Sequence, residues 1–169
     1  KKYRDQKPLS ILVSGSSGLI GSVLDPMLTS LGHQVVPLVR TGARPGKVDW
    51  DPEVGRLDTM DLKGLNAVVH LAGENISEGR WTSKKKQRIR DSRVNGTRLL
   101  CEKLAGLDSP PRVLVCASAI GFYGDRKEET LTEESNPGEG FLTEVCKAWE
   151  ESTQPAVEAG IRVVNLRFG

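Results

Sequence analysis

Leu9-Ser10-Ile11-Leu12-Val13-Ser14-Gly15-Ser16-Ser17-Gly18-Leu19-Ile20-Gly21 is the stretch whose reading decides the fold. Its first five residues form a short apolar run, the pattern of a strand buried on both faces. The run enters a G-x-x-G-x-x-G loop. Apolar residues then recur at 19, 20, 23, 24, 27, 28 and 31, which is helical spacing, and Gly32 is a natural stop. Pro26 interrupts the pattern. Each glycine has a predicted task. Gly15 permits the tight turn, Gly18 lets backbone approach a pyrophosphate, and Gly21 lets the helix pack close to the strand. The helix start offers free N–H groups and a positive dipole end to phosphate. The loop contains no G-x-x-x-x-G-K-[ST], so it is not a P-loop.

The same alternation continues outward. Gln34–Val39 reads as a strand, Val48–Trp50 and Arg56–Asp58 as a short hairpin, and Ala67–Ala72 as another strand. Ser83–Leu107 reads as a long helix, Arg112–Ala117 as a strand and 118–139 as a loop. Gly140 to Gly160 is helical with a break at Pro155, and Ile161–Leu166 is the last strand. Strands alternating with helices predict right-handed crossovers in a doubly wound, mostly parallel α/β sheet, a Rossmann fold with helices on both faces. Ligands then sit at the carboxyl ends of the strands.

Composition narrows the partners. The chain has 169 residues, 24 Lys and Arg against 22 Asp and Glu, and a net charge of +2. That balance gives no argument for nucleic acid or an anionic membrane as the main partner. No apolar run approaches the ~18 residues of a membrane span, and Lys1–Lys7 shows no secretory leader. Cys101, Cys116 and Cys146 form no CxxC pair and no Cys/His cluster. Neither a disulfide framework nor a metal site is expected, and a reducing cytoplasm is the default. Residues 1–8 read as a tail or linker and 9–169 as the dinucleotide-binding domain. The first residue is not Met, so a longer parent protein is expected.

Arg40 stands at the end of the second strand, about 20 residues past the loop, where an Asp or Glu would select NAD. With Arg44 nearby, an Arg there pairs with a 2′-phosphate, so NADP(H) is favoured over NAD(H). His70, inside an apolar strand, is expected to be structural, and His33 a turn residue. The Lys84–Arg90 basic run has no interleaved aromatics and reads as a solvated helix face.

The glycine loop, Leu71-Ala72-Gly73 and Ser118-Ala119-Ile120-Gly121-Phe122-Tyr123-Gly124 together resemble the extended short-chain dehydrogenase/reductase superfamily. Leu71–Ile76, Arg80-Trp81-Thr82, Ser92-Arg93-Val94 and Trp149-Glu150 narrow the resemblance to an atypical branch. Its members are named as NAD(P)-dependent epimerases, nucleoside-diphosphate-sugar epimerases or, in an old label, cell-division inhibitors. The resemblance covers about residues 9–169. Such proteins continue into a small substrate domain, which is expected to be missing here. It implies a cofactor site of Gly15, Ser16, Ser17, Gly18, Leu19, Ile20, Gly21, Arg40, Leu71, Ala72, Gly73 and Ser118. It implies a small-molecule substrate, a sugar nucleotide among the options.

Catalytically the match breaks down. The superfamily uses a Tyr-x-x-x-Lys pair with an upstream hydroxyl, the Lys lowering the Tyr pKa. With Glu150 as anchor, Leu142 and Cys146 fall at those positions, and no Tyr-x-x-x-Lys occurs in the chain. Ala119 falls at the hydroxyl position, with Ser118 one residue early, and Arg93 replaces a supporting Asn. Ser118, Tyr123 and Glu74 are the remaining catalytic candidates, and Arg93 is the candidate for an anionic substrate group. Two readings stay open: an enzyme with a rearranged site, or a non-catalytic NADP(H)-binding sensor or partner-binding module.

Overall fold

In the computed structural model of the chain, residues 7–40 and 45–169 are described. Residues 1–6 of the predicted tail and Arg44 lie outside the described residues. Seven strands form one sheet: β1 (Ser10–Ser14), β2 (Gln34–Val39), β3 (Val48–Asp51), β4 (Arg56–Leu57), β5 (Ala67–His70), β6 (Val113–Ala119) and β7 (Arg162–Phe168). Their order is β4-β3-β2-β1-β5-β6-β7. Every pairing is parallel except β3 with β4, the predicted hairpin. The chain winds outward from β1 through β2 and β3, then returns to β5 on the other side. The topological switch therefore falls between β1 and β5, where a doubly wound sheet opens a crevice at its carboxyl edge.

Four α-helices complete the fold among the described residues: α1 (Gly21–Ser30), α2 (Ser83–Ala105), α3 (Phe141–Glu151) and α4 (Gln154–Glu158). Thr82 starts α2, its hydroxyl accepting the Lys85 amide at 3.2 Å, the usual work of an N-cap threonine. In register across the sheet, Leu12, Val68 and Leu114 present one fully buried row. That row packs in a single cluster with Leu100, Cys101 and Leu104 of α2, Trp149 of α3 and Ala156 of α4. None of the described helices is long and apolar enough to cross a membrane.

The structure differs from the sequence expectation in four places. The strand expected over Ala67–Ala72 ends at His70, leaving Leu71 and Ala72 in the turn that follows. The region 118–139 is not all loop: β6 runs on to Ala119 and a 3-10 turn covers Ile120–Tyr123. The helix expected from Leu19 begins at Gly21, because residues 15–20 form turns. The 140–160 helix is two helices. Ser152 and Thr153 turn their hydroxyls back onto the Trp149 and Glu150 carbonyls at 2.5 and 2.6 Å, which closes α3. Pro155 then sits in the first turn of α4, where a missing N–H costs nothing.

Candidate functional site, a cleft at the switch point

The glycine loop is built as a backbone cradle. Gly15 has φ +69, and a Cβ there would meet the Leu71 carbonyl at 2.9 Å. The Gly18 amide donates to the Gly15 carbonyl at 3.0 Å, and the Ser22 amide to the Gly18 carbonyl at 2.9 Å. A Cβ on Gly21 would overlap the Gly15 carbonyl and the Ser16 backbone. The close approach that requires glycine at 21 is therefore to the loop itself, a correction to the expected packing on the strand. The amides of Ser16, Ser17, Leu19 and Ile20 have no backbone acceptor among the described residues. Such unpaired N–H groups beside a helix start suit an anion.

A polar clip holds the facing turn. Ser14 Oγ accepts the amides of Leu71 and Ala72 at 3.0 and 3.2 Å. Its own proton is then free for His70 Nδ1, 2.7 Å away, which assigns the ring proton to Nε2. His70 is fully buried, and burial pushes its pKa down to about 4. Its ring meets Trp50 edge-on at 5.8 Å. It is a structural histidine, as expected.

A cleft of about 870 Å³ opens over this floor. The loop residues Gly15 to Gly18, Arg40, Leu71, Ala72, Gly73 and Glu74 line it, with Trp50 and Pro52 on the β3 side. Arg40 is exposed and makes no ion pair among the described residues. Across from it, α2 presents Lys84, Gln87, Arg88, Asp91 and Asn95, spacing that keeps them on one helix face. The basic run is thus not a uniformly solvated face. Lys85 is buried, Lys84 and Arg88 line the cleft, and Lys86 lies 5.2 Å over the Phe141 ring. The i, i+4 spacing of Lys84 and Arg88 was the available signal, and it looks the same on a solvated helix.

Glu74 stands at the lip. Its Oε1 is 2.8 Å from Lys85 Nζ and 3.4 Å from Arg88 Nε. The Lys85 hydrogen bond holds its carboxyl below the usual range. Its amide donates to Ser92 Oγ at 3.0 Å, and its carbonyl accepts from Arg93 Nη1 at 3.1 Å. Arg93 is half-buried, lies against Gly73, and has Trp149 at 5.1 Å from its guanidinium. Burial lowers its pKa, and no acidic side chain pairs with it among the described residues.

Ser118 and Tyr123 belong to a separate cluster and do not line the cleft. Ser118 Oγ donates to Glu150 Oε1 at 2.6 Å. Arg167, the β7 partner of Ser118 in register, grips both Glu150 oxygens at 2.9 Å and donates to Tyr123 Oη at 2.8 Å. Burial pushes the Glu150 carboxyl up, but the bonds from Arg167 and Ser118 outweigh it, leaving the group below its ordinary range. Gly121 lies beside Leu142 and Cys146, the positions where the acid/base pair would stand. Cys146 is buried, and burial raises its thiol pKa. The sequence did not reveal the Glu150–Arg167 pair, because the two lie 17 positions apart with the end of α3, all of α4 and most of β7 between them.

A glycine cradle at the switch point of a doubly wound sheet, with an arginine at the β2 end, defines a Rossmann-type fold. The family model for the NAD dependent epimerase/dehydratase family matches residues 11–169, and the chain belongs to that family. An epimerase family protein of Mycobacterium bovis is 41% identical over 160 residues, covering 94% of this chain and 52% of its own. The nucleoside-diphosphate sugar epimerase of Corynebacterium glutamicum superposes with a TM-score of 0.82 at 42% identity, over 95% of this chain and 34% of that one. The human epimerase family protein SDR39U1, solved with NADPH, gives 0.83 at 28% identity, over 94% and 53%. The chain spans about half the length of the curated relatives it matches.

Proposed function

We propose that the protein binds NADP(H) in this cleft and acts as an oxidoreductase or epimerase-like enzyme on a small molecule, with sugar nucleotides as the leading class. One observation carries the reading: Ser16 and Ser17, whose amides have no backbone acceptor, and Arg40, which has no ion pair among the described residues, line the same cleft. The amides receive the pyrophosphate, and Arg40 the 2′-phosphate. Leu71, Ala72 and Gly73 line the path toward the nicotinamide ribose, where the Glu74 carboxylate, kept charged by Lys85, accepts a ribose hydroxyl or a substrate proton. A bound nicotinamide supplies hydride transfer. Arg93, with no acidic partner among the described residues, holds an anionic substrate group. Ser118 and Tyr123 remain proton-transfer candidates, held outside the cleft lining by Glu150 and Arg167. The NADPH complex of the human relative and the sugar-epimerase name of the corynebacterial one support this assignment.

Leu142 and Cys146, apolar and beside Gly121, favour the second reading, a module that binds NADP(H) without turnover. Incubation with NADPH or NADP+ and a panel of carbonyls and nucleoside-diphosphate sugars separates the two. Cofactor oxidation, reduction or sugar inversion is the expected result. Tight cofactor binding with an unchanged panel would carry the second reading instead.

A further inference from the structure

Glu74 has two cationic neighbours of different standing. Lys85 is buried and 2.8 Å from Oε1, whereas Arg88 is 55% exposed and reaches the same oxygen only at 3.4 Å. The carboxylate therefore stays neutralised without Arg88. An exposed pair of that geometry is worth little, so Arg88 leaves it at small cost. Arg88 also lines the cleft that holds the glycine loop. That loop, residues 15–21, contains no cation, so only uncharged donors, backbone amides and the Ser16 and Ser17 hydroxyls, meet a doubly charged pyrophosphate from below. The strand order fixes which phosphate Arg88 can serve. Arg40 follows β2, the loop follows β1, and Glu74, the anchor of Arg88, follows β5. The pyrophosphate over the loop lies between them, and the 2′-phosphate lies on the far side, toward β2.

We propose that Arg88 is a clamp for the cofactor pyrophosphate, exchanging the Glu74 carboxylate for a phosphate oxygen when the dinucleotide binds. The proposal rests on the reading that this cleft holds NADP(H). The guanidinium fork gains charge-assisted bonds from above, while Lys85 keeps Glu74 from becoming a bare charge. Because the pyrophosphate is common to both cofactors, the clamp contributes affinity and not NADP preference.

Titrating wild type, Arg88→Gln and Arg88→Lys with NADPH and with NADH, at several salt concentrations, tests it. Arg88→Gln weakens both cofactors by the same factor, ~10-fold, for the loss of one charged contact. Its affinity also depends less on salt, and Arg88→Lys recovers part of the loss. Unchanged affinity in Arg88→Gln, with wild type binding normally, overturns the clamp and leaves the cofactor site standing. A loss confined to NADPH overturns it too, by moving Arg88 to the 2′-phosphate. Wild type binding neither cofactor takes down the cofactor reading itself.

Discussion

His70 ties the floor of the cleft to pH. It is buried with no acceptor for its Nε2 proton among the described residues, and its pKa falls from 6.5 to about 4. Above the unfolded value the imidazole is neutral in both states and costs nothing. As pH falls below about 6.5, the unfolded chain takes up a proton that the folded chain refuses, so stability declines until about pH 4. The full loss is about 3 kcal/mol, at 1.36 kcal/mol per unit. Urea melts of wild type and His70→Gln at about pH 7 and about pH 4.5 isolate this term from the carboxylates that also titrate there. The gap between the two proteins should shift by about 2–3 kcal/mol in favour of the variant at the lower pH; parallel curves would remove His70 as the cause. The position of His70 in an apolar strand was legible as structural. Its partner Ser14, 56 residues away, was not, because only the parallel register of β1 with β5 brings them together.

At the scale of elements, the Glu150–Arg167 pair fastens the carboxyl end of β7 to α3 and draws in Ser118 and Tyr123. Both side chains are mostly buried, Glu150 at 14% and Arg167 at 19% exposure. Removing one member of such a pair leaves the other charged and unsatisfied, which is worse than losing both. Arg167→Met is expected to cost about 3 kcal/mol of unfolding free energy, and adding Glu150→Gln should return at least about 1 kcal/mol. Additive losses would mean the two groups act independently. The elements themselves were largely readable from periodicity. The strands of the parallel sheet announced themselves as apolar runs, and α2 as a long amphipathic segment. The split between α3 and α4 was not, because it depends on two hydroxyls turning back onto carbonyls, whereas Pro155 drew attention to the wrong residue.

For the whole molecule, the order of the sheet makes the glycine loop, the β2 end and the β5 turn neighbours around one cleft. The cradle was legible because glycines declare backbone geometry directly. The α2 wall was less so, since a basic run looks the same in sequence whether it faces water or a ligand. The central claim is that the loop amides and Arg40 together make an NADP(H) site. Its most direct test is a titration of wild type and Arg40→Asp with NADPH and NADH, followed by nicotinamide fluorescence. The account predicts NADPH binding in the low micromolar range (about −8 kcal/mol), with NADH weaker. It also predicts that Arg40→Asp reverses that order by replacing a phosphate partner with a ribose-hydroxyl acceptor. NADPH affinity unchanged in Arg40→Asp, or no binding of either cofactor to wild type, would contradict it.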